Sequence, residues 1–243
     1  MALVQSMRLN RFLASAGLGS RRGVEELIRS GKVRVNGHLV EDLATQVGPR
    51  DVVKVGSKVV HTEAAIHAIL YKPRGVVVTA DDEKDRKTIY DLLPANWPRV
   101  FHVGRLDKES EGLLIVTNDG DLAMALTHPR FKIDKEYEVW IDKPFDPGHR
   151  EKLLRGFHII GGRAKMELVE EFKPRKLRVI LRQGLKRQIR LMLYELGYEV
   201  TRLCRGRIGS VELEGLRPGE WRMMTSKEIA SLRPPSAKAG TPA

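Results

Sequence analysis

Asp107 lies in a polar loop, Gly104-Arg105-Leu106-Asp107-Lys108-Glu109-Ser110-Glu111-Gly112, that feeds the apolar run 113–116 and closes with Asn118-Asp119-Gly120. A short unbroken apolar run with a β-branched end, followed by Asn-Asp-Gly, reads as a buried strand ending in a tight turn. Asp107 is thus held just upstream of a rigid strand, on a loop with glycine at each end, which is how scaffolds commonly present functional side chains. One aspartate in a loop is by itself more often a turn or cap residue, so the rest of the chain has to decide. Other chemistries find little support. The one cysteine, Cys204, excludes an internal disulfide and a cysteine-based zinc site. The seven histidines (His38, His61, His67, His102, His128, His149, His158) show no metal-ligand spacing, and neither a Gly-x-Ser-x-Gly elbow nor a Walker-type loop occurs. Any reaction must run on carboxylates, arginines, lysines and tyrosines.

The charge balance indicates the partner. With 43 Lys and Arg against 31 Asp and Glu, the formal net charge is +12 over 243 residues. Such an excess suits a polyanion. No apolar run approaches the ~20 residues of a spanning helix, and the amino terminus lacks the apolar core of a secretion signal. Nucleic acid in the cytoplasm is the expectation, with no membrane.

The elements that carry the charge come first in the chain. Met7, Leu9, Phe12, Leu13 and Ala16 recur at helical spacing and end at Gly17. Ser20 stands as an N-cap before a second helix with Val24, Leu27 and Ile28, stopped by Gly31. Residues 32–40 then alternate around Asn36-Gly37, a strong hairpin signal. Short strands are expected near Val47, at 52–55 and at 58–60. Seven basic residues, Arg8, Arg11, Arg21, Arg22, Arg29, Lys32 and Arg34, face only two acids over residues 7–35. That one-signed bias reads as a phosphate-backbone footprint. Residues 61–66 have no period and read as a linker.

Further on, strands are expected at 68–71 and 76–79 around Lys72-Pro73-Arg74-Gly75, and a short helix at 89–93. Asp121 is positioned to cap a helix through Leu122 and Leu126. Residues 135–141 alternate, with Tyr137, Val139 and Ile141 on one face. A helix carrying Leu153, Leu154 and Phe157 precedes strands at 164–169 and 177–181. The stripe Ile189, Met192, Leu193, Leu196 marks a helix that buries one face, with Arg187 and Arg190 on another flank. A strand is expected at 200–203, and Arg202, Arg205 and Arg207 are expected to extend the basic surface. Residues 233–243 have the composition of a disordered tail.

Gly104-Arg105-Leu106-Asp107 with Gly112-Leu113-Leu114 resembles the central motif of the pseudouridine synthases, and more narrowly the RsuA-like branch that modifies single uridines in ribosomal RNA. Arg8-Leu9-Asn10-Arg11-Phe12-Leu13-Ala14, Ser20-Arg21-Arg22 and the Val33-to-Gly37 hairpin resemble the S4 RNA-binding domain. Gly23 departs from that pattern at a position where a good helix former is usual, at a cost of roughly 1 kcal/mol. Lys135-x-Tyr137 is similar to the family's second motif, whose tyrosine packs on the target base. Gln188-Ile189-Arg190 is similar to the third, whose arginine pairs with the catalytic aspartate. Leu185 and Leu191 depart from it, which bears on the choice of site more than on the reaction. The closing 216–222 segment also matches.

The resemblance implies an α+β fold: a mixed, largely antiparallel catalytic sheet at 67–232 behind a small S4-like module at 7–60. It implies Asp107, Tyr137 and Arg190 as catalytic residues, and Arg105, Lys135, Arg187 and Lys72 around the substrate, Lys72 through a Lys-Pro-x-Gly element that braces the site. Arg8, Arg11, Arg21, Arg22, Lys32 and Arg34 fall to RNA binding. The implied activity is conversion of one uridine to pseudouridine in ribosomal RNA or a ribosomal precursor, by a monomer, with neither cofactor nor metal. Arg207-Ile208-Gly209 and Gly219-Glu220-Trp221-Arg222 incline it to the large subunit. The alternative is a non-catalytic ribosome-assembly factor on the same scaffold. A nuclease would want clustered carboxylates or a histidine pair.

Overall fold

The structure, a computed structural model, describes residues 6–233. Residues 234–243, nearly all of the expected tail, lie outside the described residues. The chain divides into two compact units between Ala65 and Ile66.

In the first unit, helices Leu9–Ser15 and Arg21–Arg29 pack on a sheet of four short strands, ordered His38–Leu39, Val33–Val35, Val53–Val55, Lys58–Val59. Leu9, Leu13, Val24, Ile28, Val33, Val47 and Val53 form its small core. Ser20 caps the second helix by accepting from the Gly23 N–H at 3.1 Å, so Gly23 supplies the capped donor. Asn36 and Gly37 both have positive φ, 52° and 85°, as a two-residue hairpin turn requires. The Asn36 amide reaches Asp51 and accepts from Val52 N, tying this turn to the next strand. Met7 is not helical as its spacing suggests. With Arg8 it forms a strand antiparallel to Gln46–Val47, and this pairing satisfies backbone groups ahead of the helix.

The second unit is built on a nine-stranded sheet. Its main path runs Leu168–Lys173, Lys176–Leu181, Lys135–Ile141, Val200–Ile208, Glu111–Thr117, His67–Lys72, Trp221–Met223, and every neighbouring pair is antiparallel except Val200–Ile208 with Glu111–Thr117. Apolar clusters cover both faces of it. That double coverage is why His67–Lys72 and Glu111–Thr117 are buried at every residue and carry the unbroken apolar runs 68–71 and 113–116.

Some elements differ from expectation. The 76–79 run is buried over its three valines but forms no strand. Its contact is one isolated bridge, Val77 with Thr88, fixed by Val77 N–H donating to Lys87 O and Ile89 N–H donating to Val77 O. Asp119, not Asp121, caps helix Gly120–Thr127, accepting from the N–H groups of 121 and 122. Phe157 leaves helix His149–Arg155 through Gly156 and begins the Phe157–Ile159 hairpin strand. The Gln188–Tyr194 helix starts after the 183–187 loop, with Arg187 left-handed at φ 54°. A final helix, Ser226–Leu232, carries a Thr225–Glu228 capping box.

Candidate active site

A cleft of about 780 Å³ opens in the second unit, lined by Asp107, Tyr137, Arg105, Lys135, Arg187 and Arg205 among others. Three segments distant in sequence meet there: the loop before the central strand, the first half of Lys135–Ile141, and the loop before the Gln188–Tyr194 helix.

The 104–110 loop is fixed from below by Lys72. This lysine is fully buried, and its Nζ donates to Ser110 O at 2.6 Å, Pro73 O at 3.0 Å and Lys108 O at 3.4 Å. Gly75 N–H adds a bond to Lys108 O. Burial pushes the Lys72 ammonium down to about 8, against the attraction of the Asp107, Glu109 and Glu111 carboxylates. Lys72 therefore braces the loop. Its donors are engaged by carbonyls, and it does not line the cleft, so the placement of Lys72 at the substrate gives way to the bracing role.

Arg190 holds the same loop from the other side. Nη1 donates to Val200 O at 2.8 Å, while Nη2 lies 3.4 Å from Glu109 O and 3.5 Å from Ser110 Oγ. Arg187 adds an ion pair to Glu109 at 3.1 Å. Among the described residues the Asp107 carboxylate makes no hydrogen bond or ion pair. The direct Arg190–Asp107 pair expected from the resemblance is replaced by two arginines gripping the backbone and side chain just past the aspartate. Burial, then the nearby Arg187, lower the pKa of Arg190, and Asp107 and Glu109 pull it back up. The aspartate and this guanidinium therefore interact through space without touching.

Tyr137 is 8% exposed, in register with Val179 on one side and Arg205 on the other. Two residues before it, half-buried Lys135 donates to Ile133 O, and its pKa is lowered by burial first and by Arg205 second. The far wall is held by Gln188, which the sequence places in the third motif without a role of its own. It is buried, donates to Lys165 O at 2.9 Å and Gln183 Oε1 at 3.1 Å, and accepts from Leu185 N–H. Its place in that motif, ahead of the apolar stripe, was the signal. Exposed cations, including Lys132, Arg182 and Lys186, rim the opening.

Of the three arginines expected to extend the surface near 202–207, Arg202 stays exposed, Arg207 is half-buried and Arg205 is fully buried. Arg202 pairs with buried Glu111, Arg207 pairs with Glu136, and Arg205 is buried in the cleft wall. In the first unit Arg8, Arg21, Arg22, Lys32 and Arg34 are exposed and Arg11 is half-exposed. No helix among the described residues is long and apolar enough to cross a membrane.

Such a cleft can hold a flat ring against Tyr137 with a carboxylate alongside and cations at its mouth. Comparison with known proteins points the same way. A family model described as RNA pseudouridylate synthase matches residues 66–195, and an S4 domain model matches residues 7–53. The chain is 38% identical to ribosomal large subunit pseudouridine synthase B of Bacillus subtilis, covering 93% of this chain and 95% of that one. It is 39% identical to the dual-specificity RNA pseudouridine synthase RluF of Escherichia coli, covering 93% of this chain and 78% of that one. A crystal structure of a pseudouridylate synthase superposes with a TM-score of 0.68 at 27% identity, over 93% of this chain and all of that one.

Proposed function

The chain belongs to the RNA pseudouridylate synthase family, and from that premise we propose that it isomerises a uridine of large-subunit ribosomal RNA, with Asp107 as the reacting carboxylate. The observation that carries this reading is the meeting of Asp107 and Tyr137 on one cleft whose mouth is basic. A binding factor has no use for a carboxylate facing a polyanion at the end of a cleft.

In the reaction the N1–C1′ bond breaks, the uracil turns, and a C5–C1′ bond forms. The C5 proton goes to water and N1 takes one up, so atoms and electrons balance within the nucleotide. The target base has to leave its stack, at a cost of a few kcal/mol that stacking on Tyr137 offsets. The rim cations hold the flanking phosphates, which positions the strand without reading its sequence. Asp107, held on a loop clamped by Lys72, Arg187 and Arg190, meets the ribose or the C6 edge of the base as a nucleophile or base. The S4-like unit, with its exposed arginines, docks on RNA and contributes to the choice of site.

The test uses large-subunit and small-subunit rRNA transcripts tritiated at uridine C5. Release of one equivalent of label to water from the large-subunit transcript alone is the expected result. Asp107→Asn is expected to abolish release while RNA affinity stays within about twofold. Chain cleavage, or binding without release by the wild type, would overturn the assignment.

A further inference from the structure

Arg205 is the residue in this cleft that the reading above leaves without a task. It lies on Val200–Ile208 between two strands, opposite Tyr137 on one side and Gly112 on the other. The pairing slips between Glu136 and Tyr137, so that Arg207 faces 136, Arg205 faces 137 and Gly206 has no partner there. Bulges of this kind re-aim side chains. As direct cross-strand neighbours, Tyr137 and Arg205 share a face of the sheet, and the guanidinium carbon lies 6.0 Å from the tyrosine ring centroid.

The approach of the third strand depends on Gly112. Its φ is +110°, and a Cβ there would stand 2.3 Å from Arg205 O and 2.6 Å from Arg205 N. No side chain fits, so the glycine of the central motif is what lets Arg205 sit directly behind the Asp107 loop.

Arg205 is 2% exposed. Nε donates to Leu113 O at 2.7 Å, and Nη1 lies 3.4 Å from Arg105 O, two residues before Asp107. Nη2 has no partner; with Asn10 Oδ1 and Arg190 Nε it is one of three such buried side-chain atoms among the described residues. No carboxylate among the described residues pairs with the cation. An unsatisfied buried donor costs about 1–3 kcal/mol, more when charged, and in a native structure it calls for an explanation. The other two guanidinium nitrogens face backbone oxygens, so Nη2 is the one left for a ligand in the cleft.

We propose that Arg205 is the residue that holds the base in this site, its Nη2 donating to a ring carbonyl oxygen of the extruded uracil. This rests on the reading of the cleft as a uridine-isomerising site. A ring stacked on Tyr137 presents its edge to the neighbouring guanidinium, and uracil offers O2 and O4 as acceptors there. Backbone phosphates meet the exposed rim cations, not a side chain buried in the cleft wall. When N1–C1′ breaks, the bonding electrons stay on the base, and the charge spreads over N1, O2 and O4. A fixed cation at one of those oxygens holds the detached ring and stabilises the charge where it develops. If the oxygen is O4, cytosine's 4-amino group meets a donor with a donor and is rejected.

The experiment pairs a change in the protein with a change of one atom in the substrate. Large-subunit rRNA transcripts are made with uridine, 2-thiouridine or 4-thiouridine, and the C-glycoside product is measured by nucleoside mass spectrometry after digestion. For wild type, sulfur at one of the two positions is expected to slow turnover at least ~10-fold and sulfur at the other to be near neutral, since a weak acceptor forfeits the bond. Arg205→Gln is expected to lose ~10²-fold in kcat on the uridine transcript with little change in KM, and its sulfur penalty is expected to fall to about one. Arg205→Lys, which keeps the charge and folds more readily, is expected to lie between. Absence of a sulfur effect in wild type, or an equal penalty in wild type and variants, would overturn the proposal. So would a loss confined to RNA affinity. Failure of wild type on the uridine transcript itself would instead overturn the functional reading beneath it.

Discussion

Replacing Lys72 with methionine separates what the buried ammonium does for stability from what it does for the catalytic loop. The side chain is fully buried, and its pKa falls from an ordinary 10.5 to about 8 because burial disfavours the charged form. Below pH 8 both folded and unfolded chains carry the proton, and the buried charge weighs against folding. Between about 8 and 10.5 the folded chain has released the proton and the unfolded chain still holds it, so stability rises with pH. At ~1.4 kcal/mol per pH unit, most of that rise, on the order of 2–3 kcal/mol, falls between pH 7 and pH 10. Above pH 10 the raised pKa of Tyr71, about 12, begins to act the other way, so the comparison stops there. Denaturant unfolding of wild type and Lys72→Met at pH 7 and pH 10 isolates the effect, because other groups titrate alike in both. At pH 7 the variant is expected within ~2 kcal/mol of wild type, since relief of the charge offsets carbonyls left without a donor. At pH 10 the gap is expected to shift toward wild type by the 2–3 kcal/mol above. Turnover is expected to fall ~10–10²-fold at either pH, because Lys108 and Ser110 lose the clamp that aims Asp107. A pH-independent gap would refute the buried-charge argument, and a variant with wild-type kcat would refute the clamp.

Gly112→Ala forces a Cβ to within 2.3 Å of Arg205 O at a φ of +110°; a loss of ~3–5 kcal/mol and a melting temperature lower by ~10 °C are expected, and calorimetry showing a neutral change would mean the two strands separate freely. Arg190→Ala removes the bond to Val200 O and the contacts past Asp107; a ~10²-fold fall in kcat with RNA affinity intact is expected in the tritium assay, and an affinity loss in its place would make Arg190 an RNA contact. Arg21→Ala with Arg22→Ala, both exposed, is expected to weaken RNA binding and lower the slope of log K against log salt by ~1–2; an unaltered slope takes the first unit out of the footprint.

What the sequence reveals and what it hides have separate physical origins. The Asn36-Gly37 turn, the Ser20 cap and the buried strand after Asp107 are local, since each is set by residues a few positions apart, and each appears where it is read. The 76–79 run has the composition of a strand and is buried like one over its three valines. Its backbone bonds go to residues 87–89 across a loop, and composition carries no record of partners. Arg202, Arg205 and Arg207 look alike along the chain. Glu111 and Glu136 neutralise two of them from other strands, and a one-residue slip opposite Gly206 turns the third inward. Nothing in residues 200–208 alone encodes that difference. It arises where a bulge in one pairing and a glycine in the other coincide on the same strand. The same reasoning applies to Arg190, whose kinship with a motif says nothing of the atoms it grips. Spacing along a helix fixes which flank a side chain leaves from, and the far end is fixed by a loop from some 80 residues earlier. Because Lys72, Arg187 and Arg190 all act on residues 108–110 and none touches the Asp107 carboxylate, that carboxylate reaches the cleft positioned yet, among the described residues, unpaired. A carboxylate already locked in an ion pair would have to break it before reacting with a ribose or a base; one aimed through its backbone does not.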